Sequence, residues 1–373
     1  MFDYFTYFIY IGLLVTLVFL TSVKQKFTTA KLDFGVLPKL RLQHFVALLI
    51  LSFVVGFRYQ VGNDWEGYKN DFLETQSYPY LTYGEQYYEY GFYLITKGVI
   101  KVGLSYEWMF FTSALISWYF IFKSLPKLLL PILIYFLFVD QYLFWSMNGV
   151  RQFTAMSIWL VAIRFINNKN FIKYFIVIFF ASLFHRSVLL LLPLYFIPYF
   201  RINKKKLWIG LFLYSLIIGS SNEFINFIEL IINYIGQKFV IIELYIRYVE
   251  SGRFVSEDTN LGLGFVFIIL VNLFIILISG GVIKKYPQTL VYFILFFIGA
   301  ILFNLSYNIQ LLGRINNYFL IIRSIVLAIS VYHFWKISKY RIFVVGFCFL
   351  YFLLFIFAIY NSSNMCTPYN FIF

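Results

Sequence analysis

The residues of this chain predict an all-α protein, a polytopic transmembrane helical bundle of about 12 spans forming a single transmembrane domain over residues 1–373. Three observations lead there. Of the 373 residues, 62% are apolar and 24% aromatic while only 12% are charged, a balance that a soluble domain of this size does not tolerate. Apolar runs of roughly 14 to 22 residues recur from end to end, and about 20 helical residues cross the hydrocarbon core. The period-two alternation of an outer-membrane barrel is scarce.

Taken in order, the expected spans are 2–23, 42–57, 106–122, 128–145, 150–166, 171–185, 187–200, 207–221, 262–283, 287–307, 314–335 and 341–360. The first lacks the basic start and small-residue cleavage site of a secretory signal, so it is expected to stay in the mature protein as a helix. Residues 171–200 are expected to form a tight pair of short helices. Glu89 to Gly103, which carries Lys97 and Lys101, is expected to lie at the outer interface or to re-enter rather than cross.

Basic residues set the orientation of such a bundle. Lys24, Lys26, Lys31, Lys39 and Arg41 follow the first span. Lys123 with Lys127, Arg164 with Lys169 and Lys173, and Arg201 with Lys204, Lys205 and Lys206 fall on alternate connections, and Lys284, Lys285, Lys336, Lys339 and Arg341 complete the set. With these connections on the cytoplasmic side, that side holds only Asp33 among the sixteen acids, which is the first explanation for a net charge of +14. Both termini then face outward, as do two extracytoplasmic segments, 58–105 and 222–261.

Several chemistries find no support. Cys348 and Cys366 have neither metal-ligand spacing nor a disulfide framework, and His44, His185 and His333 are too scattered for a zinc site. No acidic cluster forms a Ca²⁺ cage, and there is no Walker loop, no GxGxxG and no Ser-His-Asp order. The expectation is a protein without metal or cofactor, and without a nucleic-acid partner.

Segment 222–261 spaces Asn222, Asn226, Glu229, Asn233, Glu243, Arg247 and Glu250 largely at steps of three and four, with Glu243 and Arg247 as an i,i+4 pair. That is an amphipathic interfacial helix, either a structural lid resting on lipid or a guide for an extended substrate. Segment 58–105 alternates acids with rings. Carboxylates accept hydrogen bonds from hydroxyls and flat rings stack on the apolar faces of pyranoses, so Trp65, Tyr68, Glu89 and Tyr90 are candidate sugar contacts. Interfacial anchoring explains the same aromatics equally well.

Four further positions carry candidate chemistry. Arg58 ends the second span and Asp64 follows after a Gly62-Asn63 turn, so the two could face one cavity; a snorkelling Arg with a capping Asp is the plainer reading. Arg151 opens the span near 150, where a guanidinium beside helix N-terminal amides attracts phosphate or diphosphate. His185, at the turn between the short helices, is a candidate proton acceptor, with Arg186 beside it favouring the neutral form. Arg314 starts a later span, and Arg323 nine residues on is expected to face protein or a wet cavity.

These pieces form an ordered set: FRxxxGxDWxxY around Arg58, Glu89-Tyr90-Gly91-Phe92-Tyr93, NxxRQ at Asn148, FHRS at Phe184, Arg314-Ile-Asn-Asn-Tyr318-Phe319 and a closing TPYNFIF. No one motif is specific alone, but the set spans nearly the whole chain and resembles the EpsG-like branch of the Wzy-type bacterial polysaccharide polymerases. The resemblance implies a GT-C-like membrane glycosyltransferase of the bacterial inner (plasma) membrane, with its active site facing the periplasm or exterior. Such an enzyme builds O-antigen, capsule or exopolysaccharide. It moves a growing glycan from an undecaprenyl-diphosphate carrier to the terminal sugar of a new lipid-linked repeat unit, with membrane lipid around it and a chain-length regulator as an accessory partner. Carried over position by position, Arg58, Arg151 and Arg314 would bind diphosphate, Asp64 matches the loop carboxylate and His185 the FH position. His185 is the first choice for catalytic base and Asp64 the second. Tryptophan after Asp64 and the tyrosine-rich stretch after Glu74 depart from the pattern and leave sugar identity open. A transporter or flippase of lipid-linked saccharides, or a related glycan ligase, is the alternative.

Overall fold

The computed structural model describes residues 3–22, 32–78, 89–199, 205–219, 221–236, 263–306 and 309–373, and it is helical there without strands; an isolated antiparallel bridge joins Arg58 and Phe371. By their internal contacts the residues form two compact units, Met1–Phe196 with Ala328–Phe373, and Ile197–Leu327, where the sequence suggests one domain.

The first unit begins with α1 (Tyr4–Ser22), α2 (Leu42–Gly56), α3 (Trp65–Ser77), α4 (Tyr90–Lys101) and α5 (Tyr106–Ser124). It continues through α6 (Leu130–Val139), α7 (Tyr142–Asn148), α8 (Val150–Asn167), α9 (Phe171–Ser182) and a 3₁₀ segment, Arg186–Tyr199. At its centre α8 is buried along nearly its whole length and packs between α5 and α9. The second unit contains α10 (Lys205–Gly219), α11 (Asn222–Gly236), α12 (Leu263–Lys285) and α13 (Leu290–Leu305). There α10 lies on α13, with Trp208 4.5 Å from Phe297 and Asn304 Nδ2 donating to Phe212 O at 3.1 Å and Ser215 Oγ at 2.8 Å. α14 (Gln310–Trp335) runs from this unit into the first, and α15 (Arg341–Tyr360) closes the first.

Among the described residues, five helices are long and apolar enough to cross a membrane, or up to seven if each of two bent pairs counts as one span. That is fewer than the twelve expected, and the difference has local causes. The run 128–145 is not one rod: α6 stops at Val139, Gln141 takes a left-handed φ of 64°, and α7 begins only at Tyr142. α5 meets the segment Lys127–Val139 at 111°. Eight of the ten α6 residues are buried, so most of its apolar sequence serves core packing. Within the expected pair over 171–200, the described residues form two short pieces, α9 and the 3₁₀ segment, tied by Tyr174 Oη donating to Leu191 O at 2.6 Å.

α4 has twelve residues, about 18 Å at 1.5 Å per residue, too short to cross. α11 covers the first part of the amphipathic segment; Glu243 and Arg247 lie outside the described residues, as do Tyr80, Tyr83, Tyr87 and Tyr88. At the opposite end of α2 from Arg58, burial and the charges of Arg41, Lys123 and Lys39 hold the Lys127 ammonium below its ordinary value, which marks that end as a cluster of cations.

Candidate functional site

α3 is a polar helix with one apolar face. Trp65, Tyr68, Phe72 and Thr75, at steps of three and four, are buried, and the rings join Phe92 of α4 and Met109 and Phe110 of α5 in one cluster. α3 and α4 thus form a cap fixed to the ends of α5 and α8. Arg58 anchors the loop that leads into it. Its Nε donates to Val61 O at 3.1 Å, Nη2 donates to Met147 O at 2.7 Å, Nη1 donates to Val55 O, and the guanidinium lies 4.2 Å over the Phe110 ring. Trp65 Nε1 donates to the Arg58 carbonyl at 3.1 Å.

Asn148 is the second anchor. Its amide donates to Phe144 O at 3.0 Å and Asn364 O at 3.2 Å, while its Oδ1 accepts from the Asp64 backbone at 3.4 Å. Gly62 sits against it with φ +99°, and a Cβ there would fall 3.0 Å from Asn148 Oδ1. The closing tail completes the frame: Tyr59 N donates to Asn370 O at 2.9 Å, Ile372 N to Phe57 O at 3.1 Å and Tyr369 Oη to Val54 O at 2.6 Å.

On this frame one cluster of ionisable side chains stands partly open. Glu89, at the N-cap of α4, places Oε2 2.9 Å from Arg151 Nη1 and Oε1 2.8 Å from His185 Nδ1. Side-chain exposure is 12% for Glu89, 29% for Arg151 and 31% for His185, so the carboxylate is covered while both partners reach the surface. The close approach has a sequence cause. Gly91 N donates to Leu183 O at 2.7 Å, and a Cβ at Gly91 would lie 2.9 Å from that oxygen. Only glycine lets the first turn of α4 settle on the end of α9, which brings Glu89, two residues before, to His185, two residues after.

Burial pushes the Glu89 carboxyl up, but the hydrogen bond with His185 and the charge of Arg151 outweigh it and hold it below its ordinary value. An ionised carboxylate at Nδ1 favours a proton on that nitrogen and leaves Nε2 as the free lone pair, the arrangement of a base with an orienting acid. Arg151 also meets Tyr68, its guanidinium 5.9 Å from the ring centroid. Burial raises the Asp71 carboxyl, opposed by Arg151, so a second acid lies within reach of the same cation.

Residues 41–371 match the EpsG family, a stretch running from the N-cap of α2 into the tail that bridges Arg58. This chain belongs to the EpsG family. Neither a curated protein nor a solved structure matches it, so the site rests on its own geometry. Family and apolar helices together place this EpsG-family chain among membrane proteins of polysaccharide biosynthesis.

Of the residues singled out from sequence, the structure brings together Arg151, Glu89, His185 and Tyr68. Asp64 and Tyr90 are exposed, Tyr90 6.5 Å from Tyr93. Arg58 and Trp65 need correcting: Arg58 has no exposed surface and spends its donors on carbonyls, and Trp65, 3% exposed, is packed in the cap and offers no face to a sugar. Arg58 and Asp64 therefore do not share an open cavity. Tyr68, 8% exposed, is likewise more wall than platform. Arg314 lies on α14 in the second unit and is exposed there. Sequence reasoning missed Glu89 as the centre of the cluster, Asp71, and Asn148 as a hub. The sequence marked Glu89 only as a sugar contact and as the start of the Glu89–Tyr93 motif, with Gly91 two residues on as the sign of a close approach. Among the described residues no three His, Cys, Asp or Glu side chains group as metal ligands.

Proposed function

We propose that this chain is a polysaccharide polymerase, a membrane glycosyltransferase of GT-C-like type that transfers a growing glycan from an undecaprenyl-diphosphate carrier to the terminal sugar of a new lipid-linked repeat unit. The observation that carries the reading is the single Glu89 carboxylate shared by His185 and Arg151 at 2.8 and 2.9 Å. In this mechanism the acceptor hydroxyl gives its proton to His185 Nε2 as its oxygen bonds to the anomeric carbon. The bond from that carbon to the diphosphate oxygen breaks, and in-line displacement inverts the centre. Negative charge grows on the departing lipid diphosphate. Arg151, held at the first turn of α8 where amide dipoles add to its charge, stabilises it. Glu89 is a positioning residue that fixes the imidazole. Arg58 supports the loop instead of binding diphosphate, Asp64 is the reserve base, and Tyr90 is the ring left exposed to a sugar.

Purified protein incubated with a defined lipid-diphosphate oligosaccharide tests the reading. A ladder of repeat-unit multiples, absent in His185→Ala, is the expected result. One block added to a foreign acceptor means a ligase, and unchanged substrate at every concentration removes the transferase and favours transport.

A further inference from the structure

We propose that a groove in the first unit, walled by α1, α6, the last turns of α14 and α15, binds one anionic phospholipid, with acyl chain inside and phosphate at Lys336, Lys339 and Arg341. The groove encloses about 640 Å³, within the roughly 300–1,000 Å³ of small-molecule sites. Its walls are apolar, with Val18, Pro131, Tyr332, Trp335, Val345 and Phe349 among them. Even the hydroxyl of Tyr135 is spent inside the protein, donating to Cys348 O. The Ser22 hydroxyl is likewise turned to Val18 O, and hydrocarbon is what so apolar a wall accepts, whereas a sugar or phosphate would lose most of its hydrogen bonds within.

The rim is the opposite. The turn from α14 to α15 is Lys336-Ile-Ser-Lys339-Tyr-Arg341, and the sequence contains no acid from Ala328 to Phe373. All three cations are exposed, and among the described residues none is paired with a carboxylate. Two are fastened to the groove wall itself. Lys336 Nζ lies 4.5 Å over the Tyr332 ring, and Arg341 Nε donates to Trp335 O at 3.0 Å with its guanidinium 5.8 Å from that indole. A dry slot ending under three cations matches one chemical class, a hydrocarbon chain carrying a phosphate. Basic pockets between membrane helices hold anionic lipid headgroups in this way.

Native mass spectrometry of the full chain, titrated with phosphatidylglycerol and with phosphatidylcholine, provides the test. The expected outcome is one tightly held phosphatidylglycerol and no comparable phosphatidylcholine. Combining Lys336→Ala, Lys339→Ala and Arg341→Ala should weaken it on the order of a hundredfold. Val345→Trp fills the groove from a position that is 51% exposed and should displace the lipid without unfolding the protein. Equal retention of both lipids, or phosphatidylglycerol held unchanged by the triple variant, overturns the proposal. So does tighter binding of an isoprenyl phosphate, which assigns the slot to a carrier lipid. Because no step uses Glu89 or His185, polymerase activity can fail while lipid binding stands, and the reverse.

Discussion

Replacing Glu89 by Gln keeps the shape of the side chain and removes one charge, so it isolates what the carboxylate does. At 2.9 Å from Arg151, two unit charges attract by about 1.4 kcal/mol at the dielectric of water and about 6 kcal/mol at an effective value of 20. With Arg151 29% exposed and both groups desolvated in part, the net loss is roughly 1–3 kcal/mol, a thermal midpoint lowered by a few degrees. Catalysis is expected to suffer far more. An amide presents N–H or C=O to Nδ1 with similar ease, so the tautomer with Nε2 free is no longer enforced, and turnover falls by about 10²–10⁴ with KM changed little. Single-turnover polymerisation across pH separates the two effects. Because the folded carboxyl is held below its ordinary 4.5, its contribution to stability is complete above that value and lost as pH falls through the lower folded one. The wild type should therefore lose thermal stability below about pH 4.5 by a component that Glu89→Gln lacks. Turnover within threefold of wild type at every pH would refute the orienting role.

Four more outcomes are expected. Gly91→Ala sets a methyl 2.9 Å from Leu183 O, lifts α4 from α9, and should cut turnover at least tenfold while the protein still folds; unchanged turnover would detach the Gly91 contact from the site. Arg58→Ala strands the carbonyls of Val55, Val61 and Met147 and should cost on the order of 3 kcal/mol, read as a lowered thermal midpoint; a normal midpoint with weakened substrate binding would restore Arg58 to the diphosphate. Trp65→Ala should likewise destabilise by about 3–5 kcal/mol, whereas Tyr90→Ala should leave the midpoint alone and raise KM for the acceptor.

Composition and periodicity carried the class of the fold, because a lipid-facing helix must be apolar over its length whatever it packs against. They do not separate a crossing from an apolar run that is apolar for another reason: most of α6 is buried in protein, and its sequence cannot be told from that of a span. In the site, Arg151 and His185 were legible as a cation at a helix start and an imidazole at a turn. Their meeting through Glu89 was not, since it depends on a backbone contact between Gly91 and Leu183, distant in sequence. Arg58 misled for the converse reason. A guanidinium at a membrane boundary has the same one-dimensional signature whether it greets a phosphate or three buried carbonyls.

The tail stitched to the Phe57–Tyr59 stretch has a consequence for biogenesis. Tyr369 and Val54 are 315 positions apart, yet their bond helps hold the loop that leads into the α3–α4 cap. During synthesis the ribosome must deliver nearly everything between them before that loop has its support. A prematurely terminated chain therefore lacks the bonds that fix this loop, and the α3–α4 cap stands without that anchor.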